Sequence, residues 1–212
     1  MQTFRTLYAA ALIAAAAGCA DPERSQPEMA TAPLPMSAQA QDCDLRAAVQ
    51  AGTDSILLAY EFRNRSARTA FLFNVLQKTG PSGAPQSSPD FVYIYPSGGG
   101  VVLAKKIYPV PADTEVERPE VPWVTRVDPG GVFREKLTVP LPLRFWTPYR
   151  LRENYPHAEA LAWFELGFFL APDPSVAKQV DGHLAVYPFD PDRQVVLRVG
   201  PLGRFNLSQA QP

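Results

Sequence analysis

The amino-acid sequence predicts an all-β fold, and three observations lead to that prediction. After Cys43, apolar and polar residues alternate with a period of two in several short runs, as they do in strands with one buried face. No long stretch has the 3.6-residue period of an amphipathic helix. The chain contains 23 prolines in 212 residues, about twice the average usage, and nearly all lie between the apolar runs. We therefore expect short strands separated by turns.

Residues 1–18 are typical of a signal peptide. Arg5 is the only charged residue before an apolar run at 7–17, which has the length of a signal-peptide core. That run is too short to cross a bilayer, which takes about 20 apolar residues. No later stretch reaches that length without charge or proline. The sequence thus excludes a multi-pass membrane protein and predicts export.

The segment Ala16-Ala17-Gly18-Cys19 resembles the lipobox of bacterial lipoproteins, in which small residues precede a cysteine that becomes the lipid-modified N-terminus. The resemblance implies that Cys19 is the lipidation site and that the membrane is a partner through this lipid. Ala20, rather than Asp, follows the cysteine, which by similarity implies an outer-membrane lipoprotein facing the periplasm. The alternative is ordinary cleavage after Ala20, which would leave a free periplasmic protein.

Residues 19–42 are predicted to form the lipidated N-terminus and a flexible tether. Their composition of Pro, Ala, Gln, Ser and Met offers too little apolar surface to offset the entropy of ordering. The only other cysteine, Cys43, has no intrachain partner after either kind of processing. We expect it to be a small buried apolar residue, and the alternative is an intermolecular disulfide or a redox thiol.

The remaining residues, 43–212, are predicted to form a single domain that begins with two neighbouring apolar runs. In the run at 55–64, alternate side chains are expected to face the core, namely Ile56, Leu58, Tyr60 and Phe62. A short polar turn separates it from a second run at 69–76, which we expect to be its hairpin partner. The inward side chains predicted for this second run are Phe71, Phe73 and Val75.

Two glycine-containing segments are predicted to close further hairpins. Residues 97–100 have almost no side chains to pack and therefore favour a turn. In Asp128-Pro129-Gly130-Gly131, proline pre-sets φ and Gly130 accepts a positive φ, as a type II turn requires. The strands predicted beside these turns are 91–95, 101–108, 121–127 and 132–141.

Runs at 161–170, 184–187 and 195–199 supply the last predicted strands. About eight strands in a domain of this size are enough to bury two sheet faces against each other. The pattern resembles the immunoglobulin-like β-sandwich modules of bacteria, and the resemblance implies an antiparallel sandwich. The alternative is a closed β-barrel.

Charge and motifs exclude several classes of function. The chain has 20 Lys and Arg against 21 Asp and Glu, so no overall positive field is present to attract nucleic acid. Its two histidines, His157 and His183, lie in no nucleophile motif, and no two histidines or cysteines have metal-ligand spacing. The sequence therefore predicts no catalytic residues, no metal site and no cofactor.

One connection between strands combines guanidinium groups with aromatic rings. Such groups bind sugars, anionic polymers or a partner's carboxylates. The alternative is that the rings close the open end of the sandwich while the arginines stay in water. The candidate binding residues are Arg144, Trp146, Tyr149, Arg150, Arg152 and Tyr155.

These observations favour a non-enzymatic envelope lipoprotein, a binding or structural module whose partner is an envelope protein or a polysaccharide. A secreted proteinase inhibitor is the alternative, because Tyr60 to Ser66 resembles the first strand and turn of chagasin-like inhibitors. That function would require the segments 97–100 and 118–123 to be neighbours in space. An enzyme without a recognisable motif is the third possibility.

Overall fold

Fourteen strands run through the residues that the computed structural model describes, which are 36–79, 84–149, 155, 157–186 and 189–208. All of them belong to one compact unit. Two short 3₁₀ helices, Pro174–Val176 and Pro191–Arg193, lie between the last strands. The strands are β1 (Met36–Ala40), β2 (Cys43–Ala51), β3 (Ser55–Asn64), β4 (Thr69–Val75), β5 (Gln77–Thr79), β6 (Pro85–Ser87), β7 (Tyr93–Ser97), β8 (Gly100–Lys105), β9 (Trp123–Val127), β10 (Val132–Pro140), β11 (Glu159–Ala171), β12 (Ala177–Val180), β13 (His183–Val186) and β14 (Val195–Asn206).

The strands form two main sheets. The smaller one has the order β1-β2-β3-β10, and the larger one has the order β12-β13-β9-β4-β11-β8-β7, with β14 paired to β11. All pairings are antiparallel except that of β8 with β11. None of the described sheets closes into a barrel. The predicted all-β sandwich is thus confirmed.

The main core lies between the two sheets. From β3 it receives Ile56, Leu58, Tyr60 and Phe62, as the period-two pattern predicts. The long strand β11 contributes Phe164 and Phe168 from the opposite sheet, and the Phe168 ring meets Phe62 at a centroid distance of 5.1 Å. Alternation in β3 correctly predicts the buried face because the other face of this strand is partly exposed.

The larger sheet is apolar on both faces, and this corrects one prediction. In β4, Ala70 and Leu72 face the main core. Phe71 and Phe73, predicted to face it, lie instead in a second core with Phe169 on the other face of the sheet. Because every residue from Thr69 to Asn74 is buried, alternation in this strand cannot indicate which face belongs to which core. Val75, also predicted inward, is only partly buried.

Two predicted hairpins are wrong, since each turn joins strands of different sheets. The segment after β3 leads from the small sheet into β4 of the large sheet, and Asp128-Pro129-Gly130-Gly131 leads from β9 back to β10. We call these two segments, which lead from one sheet to the other, the crossings, and they lie side by side. Gly130 N donates to Asn64 O at 2.9 Å, and Asn64 N donates to Gly131 O at 3.0 Å. Local turn residues therefore reverse the chain here without pairing the strands that they join.

The side chain of Asn64 fastens both crossings from inside. It is completely buried, and its Nδ2 donates to the carbonyls of Arg68 and Val127 at 2.8 and 2.9 Å. Its Oδ1 accepts from Ser66 N and Ser66 Oγ at 3.0 and 2.7 Å. One amide thereby connects the ends of β3 and β9 with the segment between β3 and β4.

The hairpin predicted at 97–100 is confirmed, because β7 and β8 pair antiparallel across it. Gly98 and Gly99 have φ of 59° and 78°, which residues with a Cβ adopt only at a cost. A strand also lies within the segment predicted as the tether. Met36–Ala40 was assigned to the tether, but its backbone pairs with β2 throughout, and backbone pairing does not require large side chains.

The predicted signal peptide and Cys19 lie outside the described residues. Among those that are described, no helix is long and apolar enough to cross a membrane.

Candidate binding site at the sandwich edge

The candidate binding residues lie between β10 and β11, in a connection between two strands as predicted. Two backbone pairings hold this connection in place. Trp146 exchanges N–H···O bonds of 2.8 and 2.9 Å with Ile94 of β7, and Leu143 N donates to Asn206 O at 2.8 Å. The connection is therefore fixed to β7 and to β14, which positions the side chains of Leu143 and Trp146.

The indole of Trp146 packs against aromatic side chains from β7 and the segment before it. Its centroid lies 5.1 Å from that of Tyr93 and 6.2 Å from that of Phe91. The ammonium of Lys78, on β5, lies 3.9 Å from the Trp146 centroid and 4.5 Å from that of Phe91. Both distances are within the range of a cation–π contact. Trp146 thus contributes to packing and also holds a cation.

Beside this cation lies a cleft of about 340 Å³ between β7 and β10, which we call the edge cleft. This volume is in the range of small-molecule sites. Its lining combines aliphatic side chains with three charged ones, Lys78, Asp90 and Arg144. The lining residues are Lys78, Asp90, Val92, Ile94, Val139, Pro140, Leu141, Pro142, Arg144 and Trp146.

The cations of the edge cleft have no carboxylate partner in the described part of the chain. Lys78 is half-buried and its ammonium lies against the rings of Trp146 and Phe91, and burial lowers the pKa of this ammonium. Arg144 is exposed at the rim and forms no ion pair with a described residue. The one carboxylate of the cleft, Asp90, accepts a 2.7 Å hydrogen bond from Thr138 N.

The backbone groups beside the edge cleft are already paired. Ile94 uses both its N–H and its carbonyl with Trp146, and Leu141 N donates to Asp54 O at 2.8 Å. Asp90 occupies Thr138 N. A ligand in the cleft would therefore be recognised by side chains, through charge and apolar contact, rather than by strand addition.

Tyr149 and Tyr155 do not line the edge cleft with Arg144 and Trp146. The hydroxyl oxygen of Tyr149 accepts from Glu120 N at 2.9 Å, and its ring lies 6.3 Å from Tyr108. Tyr155 donates to Gly99 O at 2.8 Å and packs edge-on against Phe145. These tyrosines hold neighbouring loops, which is the structural alternative stated above. Arg150 and Arg152 lie outside the described residues.

Sequence reasoning missed Lys78 and Asp90. Lys78 lies in the short strand β5, which has no apolar alternation to mark it as a strand, and Asp90 lies in a turn. No local signal relates either residue to Trp146, because the relationship arises only when β5 and β7 meet the connection at 141–158.

A buried ion pair lies between the two sheets near Asp90. Lys105 of β8 is completely buried, and its Nζ lies 2.7 Å from Glu135 Oε2 on β10. The same Nζ donates to Pro89 O at 2.6 Å and to Asn74 O at 3.0 Å. Tyr60 also donates to Glu135 Oε2, at 2.6 Å. The charged and polar groups of this cluster are hydrogen-bonded to one another. We therefore assign the cluster a structural role, in which it holds the two sheets together.

The two histidines lie apart and pack against aromatic rings. His183 meets Trp123 edge-on at 4.0 Å, and His157 lies 5.2 Å from Tyr155. Within the described ranges, no three His, Cys, Asp or Glu side chains come close enough together to hold a metal ion. Comparison with protein-family models, with curated proteins and with solved structures finds no match for this chain.

Proposed function

We propose that this protein is a non-enzymatic envelope lipoprotein, anchored by lipid at Cys19 to the outer membrane and facing the periplasm. Its β-sandwich acts as a binding module for another envelope component. The proposed location rests on the signal-peptide pattern and on the lipobox-like segment that ends at Cys19. The binding role rests on the edge cleft.

One observation carries the binding role. The half-buried ammonium of Lys78 stands against Trp146 and Phe91 at the edge cleft, with no counter-charge among the described residues. Keeping a desolvated cation without an anion costs stability. A surface that retains such a group beside an indole and a second cation, Arg144, is suited to an incoming anionic partner.

The binding role is tested by site-specific photocrosslinking in intact cells. A photoreactive amino acid replaces Pro140, an exposed residue at the rim of the cleft, and a matched one replaces the exposed Lys178 on β12. Arg144 and Lys78 stay in place. We expect a discrete adduct from position 140 and none from position 178. The same adduct from both positions, or none from position 140, would contradict the proposal.

The anchor is tested separately. Cys19→Ser should abolish labelling by radioactive palmitate and release the protein from the membrane fraction, because several acyl chains hold a protein to a leaflet far more firmly than one. Cys43→Ser is the matched control and should leave both properties unchanged. Unchanged membrane association of the Cys19→Ser variant would contradict the lipoprotein assignment.

The inhibitor alternative receives less support. It needs the segments 97–100 and 118–123 to lie together, yet Glu120 contacts Tyr93, four residues along β7 from Ser97, or about 13 Å at the rise of a strand. The third possibility, an enzyme, would need reacting groups assembled from distant strands. Neither His157 nor His183 makes a hydrogen bond to a described serine or to Cys43.

A further inference from the structure

The edge cleft combines aliphatic side chains with two cations that have no carboxylate partner among the described residues, and this combination restricts the ligand more than charge alone. The aliphatic lining includes Val92, Ile94, Val139 and Leu141. The first three of these also belong to the main core. Lys78 and Arg144 line the same cleft as Trp146. The cleft therefore offers both aliphatic contact and positive charge.

We propose that the edge cleft binds an aliphatic anion, in which a carboxylate or phosphate head contacts Lys78 and Arg144 and a hydrocarbon chain lies between β7 and β10. This inference rests on the proposed function and specifies its ligand. The cleft volume of about 340 Å³ accommodates a chain of roughly eight carbons within the range of small-ligand pockets.

A peptide is a less suitable occupant. Peptides that lie along a sheet edge gain much of their affinity from main-chain hydrogen bonds. Here the available groups are taken, since Ile94 is paired with Trp146 and Thr138 N is held by Asp90. An aliphatic anion needs none of these groups.

The same chemistry could come from a free fatty acid or from an acidic lipid in a bilayer. Asp90 also lines the cleft and accepts from Thr138 N, and its negative charge disfavours a ligand with a second anionic group. A hydrocarbon chain without an anionic head would leave Lys78 desolvated and uncompensated. The head and the chain are therefore both required.

Calorimetric titration of the full chain carrying Cys19→Ser tests the inference. Octanoate should bind saturably, and affinity should rise about fourfold for each added methylene from butyrate to octanoate. Octanamide, the neutral counterpart, should bind at least about tenfold more weakly than octanoate. Lys78→Met and Arg144→Gln should each weaken the binding of octanoate by a similar factor. Lys178→Met is the matched control and should change nothing.

Vesicles distinguish the two sources of the ligand. Binding to phosphatidylcholine vesicles only when phosphatidylglycerol is added, and only with Lys78 intact, would identify a bilayer lipid as the source. Octanoate binding without vesicle binding would identify a free acid.

Three results would overturn the inference: equal affinity for octanoate and octanamide, no effect of Lys78→Met on either ligand, or tighter binding of an aliphatic peptide than of octanoate. Its failure is separable from that of the proposed function. A crosslinked envelope partner at position 140 would stand even if octanoate did not bind.

Discussion

The ammonium of Lys105 and the carboxylate of Glu135 lie 2.7 Å apart across the interior of the sandwich. Lys105 belongs to β8 of the large sheet and Glu135 to β10 of the small one. Desolvation lowers the pKa of Lys105, and the Glu135 charge opposes that shift. The pair therefore fixes how the two sheets face each other, with each charge depending on the other.

Glu135→Gln should lower the free energy of unfolding by about 3 to 5 kcal/mol, because it leaves the buried Lys105 without a counter-charge. Urea denaturation measures this loss. Lys136→Gln, at the exposed neighbouring position in β10, should stay within about 0.5 kcal/mol of the parent. A loss below about 1 kcal/mol for Glu135→Gln would contradict the role given to the pair.

Asn64→Ala should be at least as damaging as a core truncation. It removes the donors to the carbonyls of Arg68 and Val127 and the acceptor for Ser66, and each buried group left unpaired costs about 1 to 3 kcal/mol. Thermal denaturation should show a fall in Tm of many degrees. Asn206→Ala, at an exposed position near the end of β14, serves as the control and should have little effect.

Stability should fall in mild alkali, and Cys43 should account for part of the fall. Burial, aided by the charges of Asp42 and Asp44, raises the pKa of the Cys43 thiol from 9.0 to about 11. A group whose pKa is raised by folding stabilises the fold fully below its unfolded pKa, and that contribution is lost as pH rises toward the folded value. The loss therefore falls between pH 9 and 11.

Urea midpoints at pH 8 and pH 11 measure this dependence. Cys43→Ala should lose less stability over the interval than the parent. Tyr60, Tyr93 and Tyr95 also have raised pKa values, chiefly through burial, and they add a further loss above pH 10 in both proteins. Equal losses in the two proteins would show that the thiol does not contribute.

Arg144→Gln and Trp146→Ala should separate binding from folding. Arg144 is exposed and has no ion-pair partner within the described structure. Its replacement should therefore change the free energy of unfolding by less than about 0.5 kcal/mol and leave Tm almost unchanged, while it weakens binding of the partner. Trp146 packs on Tyr93 and Phe91, so Trp146→Ala should lower Tm as well as binding. Binding and Tm are measured on both variants.

If Arg144→Gln leaves binding intact and Trp146→Ala affects Tm alone, the connection only closes the sandwich. The predicted site residues that the structure describes already divide along this line. Tyr149 and Tyr155 bond to neighbouring loops, whereas Arg144 and Trp146 line the edge cleft.

Particular residues show how far the sequence could predict the fold. The face that holds Ile56 to Phe62 was predictable because β3 has one buried and one partly exposed side. The face of Phe71 was not, because β4 is buried on both sides. Turn residues at Pro129 and Gly130 predict a chain reversal, but the change of sheet at this turn is held by Asn64, which lies 66 positions before Gly130 in the sequence.

The candidate site divides in the same way. Trp146 and Arg144 share a short segment, and their mixture of ring and guanidinium is visible in the sequence. Lys78 comes from β5 and approaches Trp146 only through tertiary contact. One lysine in a polar segment carries no local pattern, so the cation at the cleft could not be predicted.

The two crossings between sheets also affect how fast the chain can fold. Because β3 does not pair with β4, its partner on one side is β10, and Ile56 must find Val139. The parallel pairing of β8 with β11 similarly joins Val101 to Ala162. Closing such long loops before any contact is gained slows folding, and all-β domains with distant pairings fold in milliseconds to seconds. In a chain exported as proposed, this delay would keep the backbone extended during translocation and postpone compaction until the strands of both sheets have emerged.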